Sequence, residues 1–195
     1  MLSFDAVHAL AGSLVAAETD AHTAGWRQPA TVLLIHSQPL LDAALQQRPA
    51  PRSLHFPLRR DEPRANMAGL PTLLSSLAVG IGSPDTPYRA TLNAIGQQIR
   101  RTEPDARLMA WAACYEDIHT ISGHSQRVRC VDAADVDGRA YRITRLHGED
   151  HPQTLVDDHP DPDHTPATYP GLVALVTATA SFITTPARTD VDVSG

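Results

Sequence analysis

Residues 3–22, SFDAVHALAGSLVAAETDAH, carry apolar side chains at helical spacing, with Val7, Leu10, Leu14, Ala17 and Ala21 on one side. Ser3 suits the N-cap, Gly25 the stop, and Pro29 lies just beyond. ATVLLIHS (30–37) is a β-branched apolar run of strand length. SQPLLDAALQQ (37–47) predicts a short helix opened by Ser37 and Pro39. The proline- and arginine-rich stretch that follows holds one short strand at Leu54 to Leu58, which Pro57 places at a sheet edge. LPTLLSSLAVG predicts a helix opened by Pro71 and closed at Gly80, and GIGSPD a loop. In TPYRATLNAIGQQIRR, Pro87 opens a helix whose apolar face is Tyr88, Leu92, Ile95 and Ile99.

The second half alternates differently. ARLMAWAACYEDIHTI (106–121) has an apolar centre without a period, as in a strand buried on both faces, although its alanines leave a helix open. QRVRCVDAADVDGRAYRITRL reads as a hairpin turning at Asp137-Gly138. A two-residue loop pairs Asp132 with Ile143 and wastes both faces. A three-residue loop with Gly138 left-handed pairs Val131 with Ile143, Ala133 with Tyr141 and Asp132 with Arg142, and is preferred. YPGLVALVTATASFI is the last helix, and PARTDVDVSG (186–195) a loose tail. The expectation is one α+β domain over 1–185, a single mainly antiparallel sheet packed against helices, with a helix first and a helix last.

Composition narrows the function classes. The longest apolar run, the eight residues Leu108 to Tyr115, is too short for a membrane span. A signal peptide is not expected, because the first basic side chain is Arg27; a cytoplasmic location is the default. Lysine is absent, which excludes Schiff-base, Walker and kinase-type lysine chemistry. Residues 1–145 hold 15 arginines against 14 acids, whereas 146–195 hold eight acids and only Arg188, a net −7. No basic stripe for nucleic acid is visible. Cys114 and Cys130 lack CxxC spacing and are expected as buried, reduced thiols.

The segment 147–170 holds His147, His151, His159 and His164 among six carboxylates. The pairs His147-x3-His151 and His159-x4-His164 have spacings found among zinc ligands. Gly148, Pro152, Pro160 and Pro162 deny them a regular helix face, so the segment is expected as a solvated, proline-stiffened acidic loop without a metal. Partner docking is its other use: Asp157, Asp158, Asp161 and Asp163 would then meet a basic protein surface. Glu116, Asp117, His119 and His124, near the end of the central strand, are the acid/base candidates. Neighbours on a strand point to opposite faces, so Glu116 and Asp117 reach one point only if the strand bends. The structural alternative has Glu116 meet a hairpin arginine while Asp117 caps the turn. No GxSxG and no cofactor motif are present.

AGWRQPATVLLI, WAACYEDI, VDAADVDGRAYRITR and TYPGLVALVTAT together resemble a group of uncharacterised small proteins from high-GC actinobacteria. In that group a GW-x-QP turn leads into the first strand and a PGL helix closes the domain. The resemblance implies no activity, cofactor or catalytic residue. The order of elements also resembles the roadblock/profilin-like arrangement, which implies docking, although the middle helix pair departs from it. The expected function is a non-enzymatic cytoplasmic domain that binds a protein partner or itself, without nucleic acid or membrane. The alternative is a metal-assisted hydrolase built on the His/carboxylate residues named above.

Overall fold

The computed structural model describes residues 1–38, 50–58 and 69–183. The elements in order are α1 (Phe4–Thr23), β1 (Thr31–Gln38), β2 (Ala50–Phe56), α2 (Leu70–Gly82), α3 (Pro87–Thr102), β3 (Leu108–Ile121), β4 (His124–Asp135), β5 (Ala140–Leu146), β6 (Gln153–Asp157) and α4 (Tyr169–Ile183). Ser37 and Gln38 end β1 rather than open a helix; the rest of the helix expected over 37–47 and the tail 186–195 lie outside the described residues.

The strands form one sheet in the order β2-β1-β3-β4-β5-β6, antiparallel throughout. The fold is α+β, with a helix at each end of the element order. The period-2 pleat sorts side chains onto two faces. Leu34, Trp111, Ala113, Cys130 and Ala134 meet α2, α3 and α4 on one face. Leu33, Ile35, Ala112, Val131, Ala133 and Ile143 meet α1 on the other, the one helix on that face among the described residues. β3 is buried over its first eight residues because both faces are covered, which is why its sequence shows no alternation. Cys114 and Cys130 are both free and buried, and lie on opposite faces. Burial pushes their thiols up, to about 11 and about 12.

The ends of the helices follow their side chains. Ser3 Oγ accepts from the N–H of Ala6, and Thr86 Oγ1 from that of Arg89, with Pro87 in the first turn of α3. α2 runs past Gly80 to Gly82, so the loop expected at 80–85 is shorter. β2 covers Ala50–Phe56 rather than 54–58 and takes the predicted edge position. β4 and β5 pair Val131 with Ile143, Ala133 with Tyr141 and Asp132 with Arg142, the register of the three-residue loop, with Gly138 at φ 85°. A further turn at Ser122 (φ 51°) and Gly123 (φ 80°) joins β3 to β4. Both residues are left-handed, as a tight two-residue hairpin requires.

Gly171 explains the PGL sequence. A β-carbon there would lie 2.6 Å from Leu74 Cβ on α2 and 3.4 Å from the Ser75 nitrogen. Gly→Ala in a free helix stabilises by up to ~1 kcal/mol. Here overpacking reverses the sign, and Gly171→Ala should cost ~1–3 kcal/mol in urea denaturation. A variant as stable as the wild type would mean that α2 and α4 have room to separate.

Candidate functional site

Each acid/base candidate has a local structural partner. Glu116 points to the α1 face, where its Oε1 accepts from the backbone N–H of Arg27 (2.6 Å) and Gln28 (3.3 Å), with Arg129 Nη2 at 3.5 Å. The expected arginine partner is therefore there. Asp117 and His119 point to the other face and pair with each other, Nε2 to Oδ2, at 3.1 Å. Asp117 does not cap the hairpin turn, because β3 continues to Ile121; its Oδ1 accepts from the Ile118 N–H at 2.7 Å. His124 Nδ1 meets the Ser122 carbonyl at 3.0 Å. The pleat thus keeps Glu116 apart from Asp117 and His119.

Of the late histidines, His147 and His164 have side-chain partners, while His151 and His159 are exposed. His147 packs on Trp26, with ring centroids 4.9 Å apart. His164 Nδ1 bonds Asp161 Oδ2 at 2.9 Å. Among the described residues no three His, Cys, Asp or Glu side chains gather as a set of metal ligands.

The acidic segment requires a correction. It is not loop throughout: Gln153–Asp157 forms β6, pairing Tyr141 with Val156 and Ile143 with Thr154. QTLVD carries the signal, a β-branched and apolar run between Pro152 and Pro160, hidden by the charges around it. The aspartates then staple turns. Asp157 accepts from the His159 N–H, and Asp161 from the Asp163 N–H, both at 3.0 Å. Hydrogen bonds from Asp163 N–H and His164 hold the Asp161 carboxyl below its ordinary range. Asp158 pairs with Arg139 Nε at 2.7 Å, and Asp163 is exposed. Two of these aspartates thus accept backbone N–H groups and a third pairs with Arg139, which gives the segment defined turns.

Three polar clusters went unforeseen. On the α1 face, Arg129 and Arg145 stand directly opposite one another on β4 and β5. That like-charge pair is tolerable only with a carboxylate between them. Glu18, fully buried on the Ala6-Leu10-Leu14 stripe of α1, supplies it. Arg145 bonds Glu18 through Nε at 2.9 Å and Nη2 at 2.6 Å. Arg129 Nη1 lies 3.8 Å from Glu18 Oε1, and Nη2 donates to the Gly25 carbonyl at 2.5 Å. Trp26 covers the Arg129 guanidinium at 4.3 Å from its ring. The GW-x-QP stretch is therefore a clamp: left-handed Gly25 presents its carbonyl, Trp26 stacks, and Arg27 and Gln28 donate to Glu116.

On the opposite face buried Asp132 accepts from Thr168 Oγ1 (2.6 Å), Arg142 Nε (3.0 Å) and Tyr115 Oη. Burial, followed by the charge of Asp132, pushes the Tyr115 phenol up. At the β4–β5 turn Asp135 accepts from Tyr141 Oη, and from the N–H groups of Asp137 and Arg139, each at 2.9 Å.

Two surface features stand out among the described residues. A cavity of about 300 Å³ opens between the second half of α1, the start of β1, β2 and β3. At the other end of the sheet β6 is an edge strand, with Leu155 61% and Val156 37% exposed. Phe4 of α1, 85% exposed, shares a shallow depression with Val156. No helix among the described residues is long and apolar enough to cross a membrane. No protein-family model, curated protein or solved structure matches this chain.

Proposed function

We propose that this is a non-enzymatic protein-docking domain of the cytoplasm, which adds an extended, basic segment of a partner to the β6 edge. Support comes from the contrast between the two sheet edges. β2 is blunted by Pro51, Arg52 and the adjoining Pro57, devices that discourage strand addition. β6 has no proline within it and leaves Leu155 and Val156 in solvent. Such an edge offers backbone groups for pairing and side-chain positions for alternate residues of an added strand.

Charge selects the occupant. Asp150, Asp157, Asp161 and Asp163 lie within or close to β6 along the chain, and residues 146–195 carry a net −7 in sequence. A second copy would bring like charge to like charge, whereas a lysine- or arginine-bearing strand would be drawn in.

The test uses a peptide of alternating valine and lysine, with a valine–glutamate peptide as control. The basic peptide should bind at low salt, weaken as salt rises, and shift the amide resonances of 153–157. Leu155→Lys changes an exposed position, so stability should hold within ~0.5 kcal/mol while binding falls about ten-fold or more. Resonance shifts centred elsewhere, or equal binding by Leu155→Lys, would refute the β6 site.

A further inference from the structure

Beyond the body of the sheet, β3 and β4 run on together as a two-stranded arm. β1 pairs with β3 only as far as Cys114, and β5 with β4 only from Val128. From Ile118 to Gln126 the arm is exposed, apart from half-buried His119. Ile118, 67% exposed, is an apolar β-branched residue with no strand on its outer side among the described residues. The turn fixes the hydrogen-bonding phase of the arm. Ile121 and His124 flank the two-residue turn at Ser122-Gly123 as a hydrogen-bonded pair, so Ile121, His119 and Asp117 direct their backbone groups to β4. Ile118 and Thr120 direct theirs outward. Two contacts agree. The Ile118 N–H, with no strand beside it, bonds Asp117 Oδ1 at 2.7 Å. The carbonyl of Arg127, opposite Ile118, accepts from the His147 N–H at 2.9 Å. His147 thus occupies the outer side of β4 there, whereas the β3 edge is open.

An open edge is a template for another strand, and this one is complementary to itself. An antiparallel pair centred on Ile118 sets it against the second copy's Ile118, with the outward backbone groups of both in phase. On the opposite face Asp117 meets the second copy's His119, and His119 its Asp117, so carboxylates and imidazoles alternate. Thr120 falls beside the second copy's Glu116. One rotation generates every contact twice, as an isologous interface requires. A one-residue slip loses the phase. A two-residue slip keeps it but sets Asp117 against Asp117 or His119 against His119. Net charge does not oppose the pairing, because Arg127 and Arg129 offset Glu116 and Asp117 within the arm. We propose that this arm is a homodimerisation element, in which two copies of the chain join antiparallel along the β3 edge at residues 116–120. The site is separate from the β6 edge and does not rest on the docking reading.

Sedimentation equilibrium of the full chain should show a reversible dimer with a Kd on the order of 0.1 mM, as suits a short interface. Ile118→Lys changes an exposed position, so circular dichroism should be unchanged. Two opposed lysines should weaken the dimer about ten-fold or more. His119→Asp sets carboxylate against carboxylate and should weaken it likewise. Adding Asp117→His to that variant exchanges the two partners, and dimerisation should return to within about three-fold of wild type. Leu155→Lys, on β6, should dimerise as wild type does. The proposal is overturned if the chain is monomeric at about 1 mM, or if Ile118→Lys dimerises as tightly as wild type. It is also overturned if the exchanged double variant is as weak as His119→Asp, or if Leu155→Lys disrupts the dimer. Ile118→Lys leaves β6 untouched, so the peptide test there gives its answer separately.

Discussion

Replacing Glu18 with alanine should destabilise the protein by ~3–5 kcal/mol, the cost of leaving a buried ion pair with one partner removed. Glu18 and Arg145 are 0% and 3% exposed, and Arg129 is 1% exposed. Without Glu18 two guanidiniums face each other across β4 and β5, with only Glu116 beside Arg129. The penalty is a large share of the ~5–15 kcal/mol that holds a domain together. Glu18→Gln keeps the shape and one acceptor and should fall between alanine and wild type. Combining Glu18→Leu with Arg145→Met should cost much less than the two single changes added, since the buried charges leave together. Chemical denaturation of the four proteins closes the cycle. A loss under ~1 kcal/mol for Glu18→Ala would mean that water reaches the cluster and screens it.

Where a side-chain period or a turn residue decides the structure, the chain is readable. Asp137-Gly138 and the opposed Asp132 and Arg142 select one hairpin register, and the structure has that register. The apolar centre of β3 marks a strand covered on both faces. Glu18 was legible in part: it continues the Ala6, Leu10, Leu14 spacing by one more turn, where a carboxylate is out of place unless paired. Once the register is chosen, Arg129 and Arg145 stand opposite each other, and the need for such a partner follows. Which helix supplies it depends on how α1 crosses the sheet, a tertiary fact without a local signal. β6 was hidden for another reason. Leu155 and Val156 have strand character, but six carboxylates and the prolines around them read as solvated loop. Turn geometry absorbs the charge, because Asp157 and Asp161 accept backbone N–H groups and Asp158 has Arg139. The acid/base candidates do not gather at one point, for a physical cause that was visible: the pleat puts Glu116 on the face opposite Asp117 and His119.

Asp132→Ala should be comparably severe and should act first on α4. Asp132 is 1% exposed and holds three donors from three parts of the chain: Tyr115 on β3, Arg142 on β5 and Thr168 beside the start of α4. Each stranded donor costs ~1–3 kcal/mol when no water replaces the carboxylate. The three losses overlap, because the neighbours relax together, so ~3–5 kcal/mol is the expected total. Thr168 is the link to α4, since its carbonyl accepts from the Leu172 N–H while its hydroxyl reaches Asp132. With that tie cut, α4 keeps Gly171 against Leu74 and the Thr179 hydroxyl on Trp111 Nε1 at 3.1 Å, but its first turn loses its anchor to the sheet. Amide exchange in Leu172 to Val176 should therefore accelerate more than exchange in the paired cores of β3 and β4. Trp111 supplies a second readout: in a Trp26→Phe background it is the sole tryptophan, and its emission should shift to the red as α4 loosens. Asp132→Asn keeps an acceptor but loses the charge facing Arg142, and should lie between alanine and wild type. If α4 exchanges no faster in Asp132→Ala than in wild type, the helix is held by its apolar face alone and the Thr168 tie is incidental.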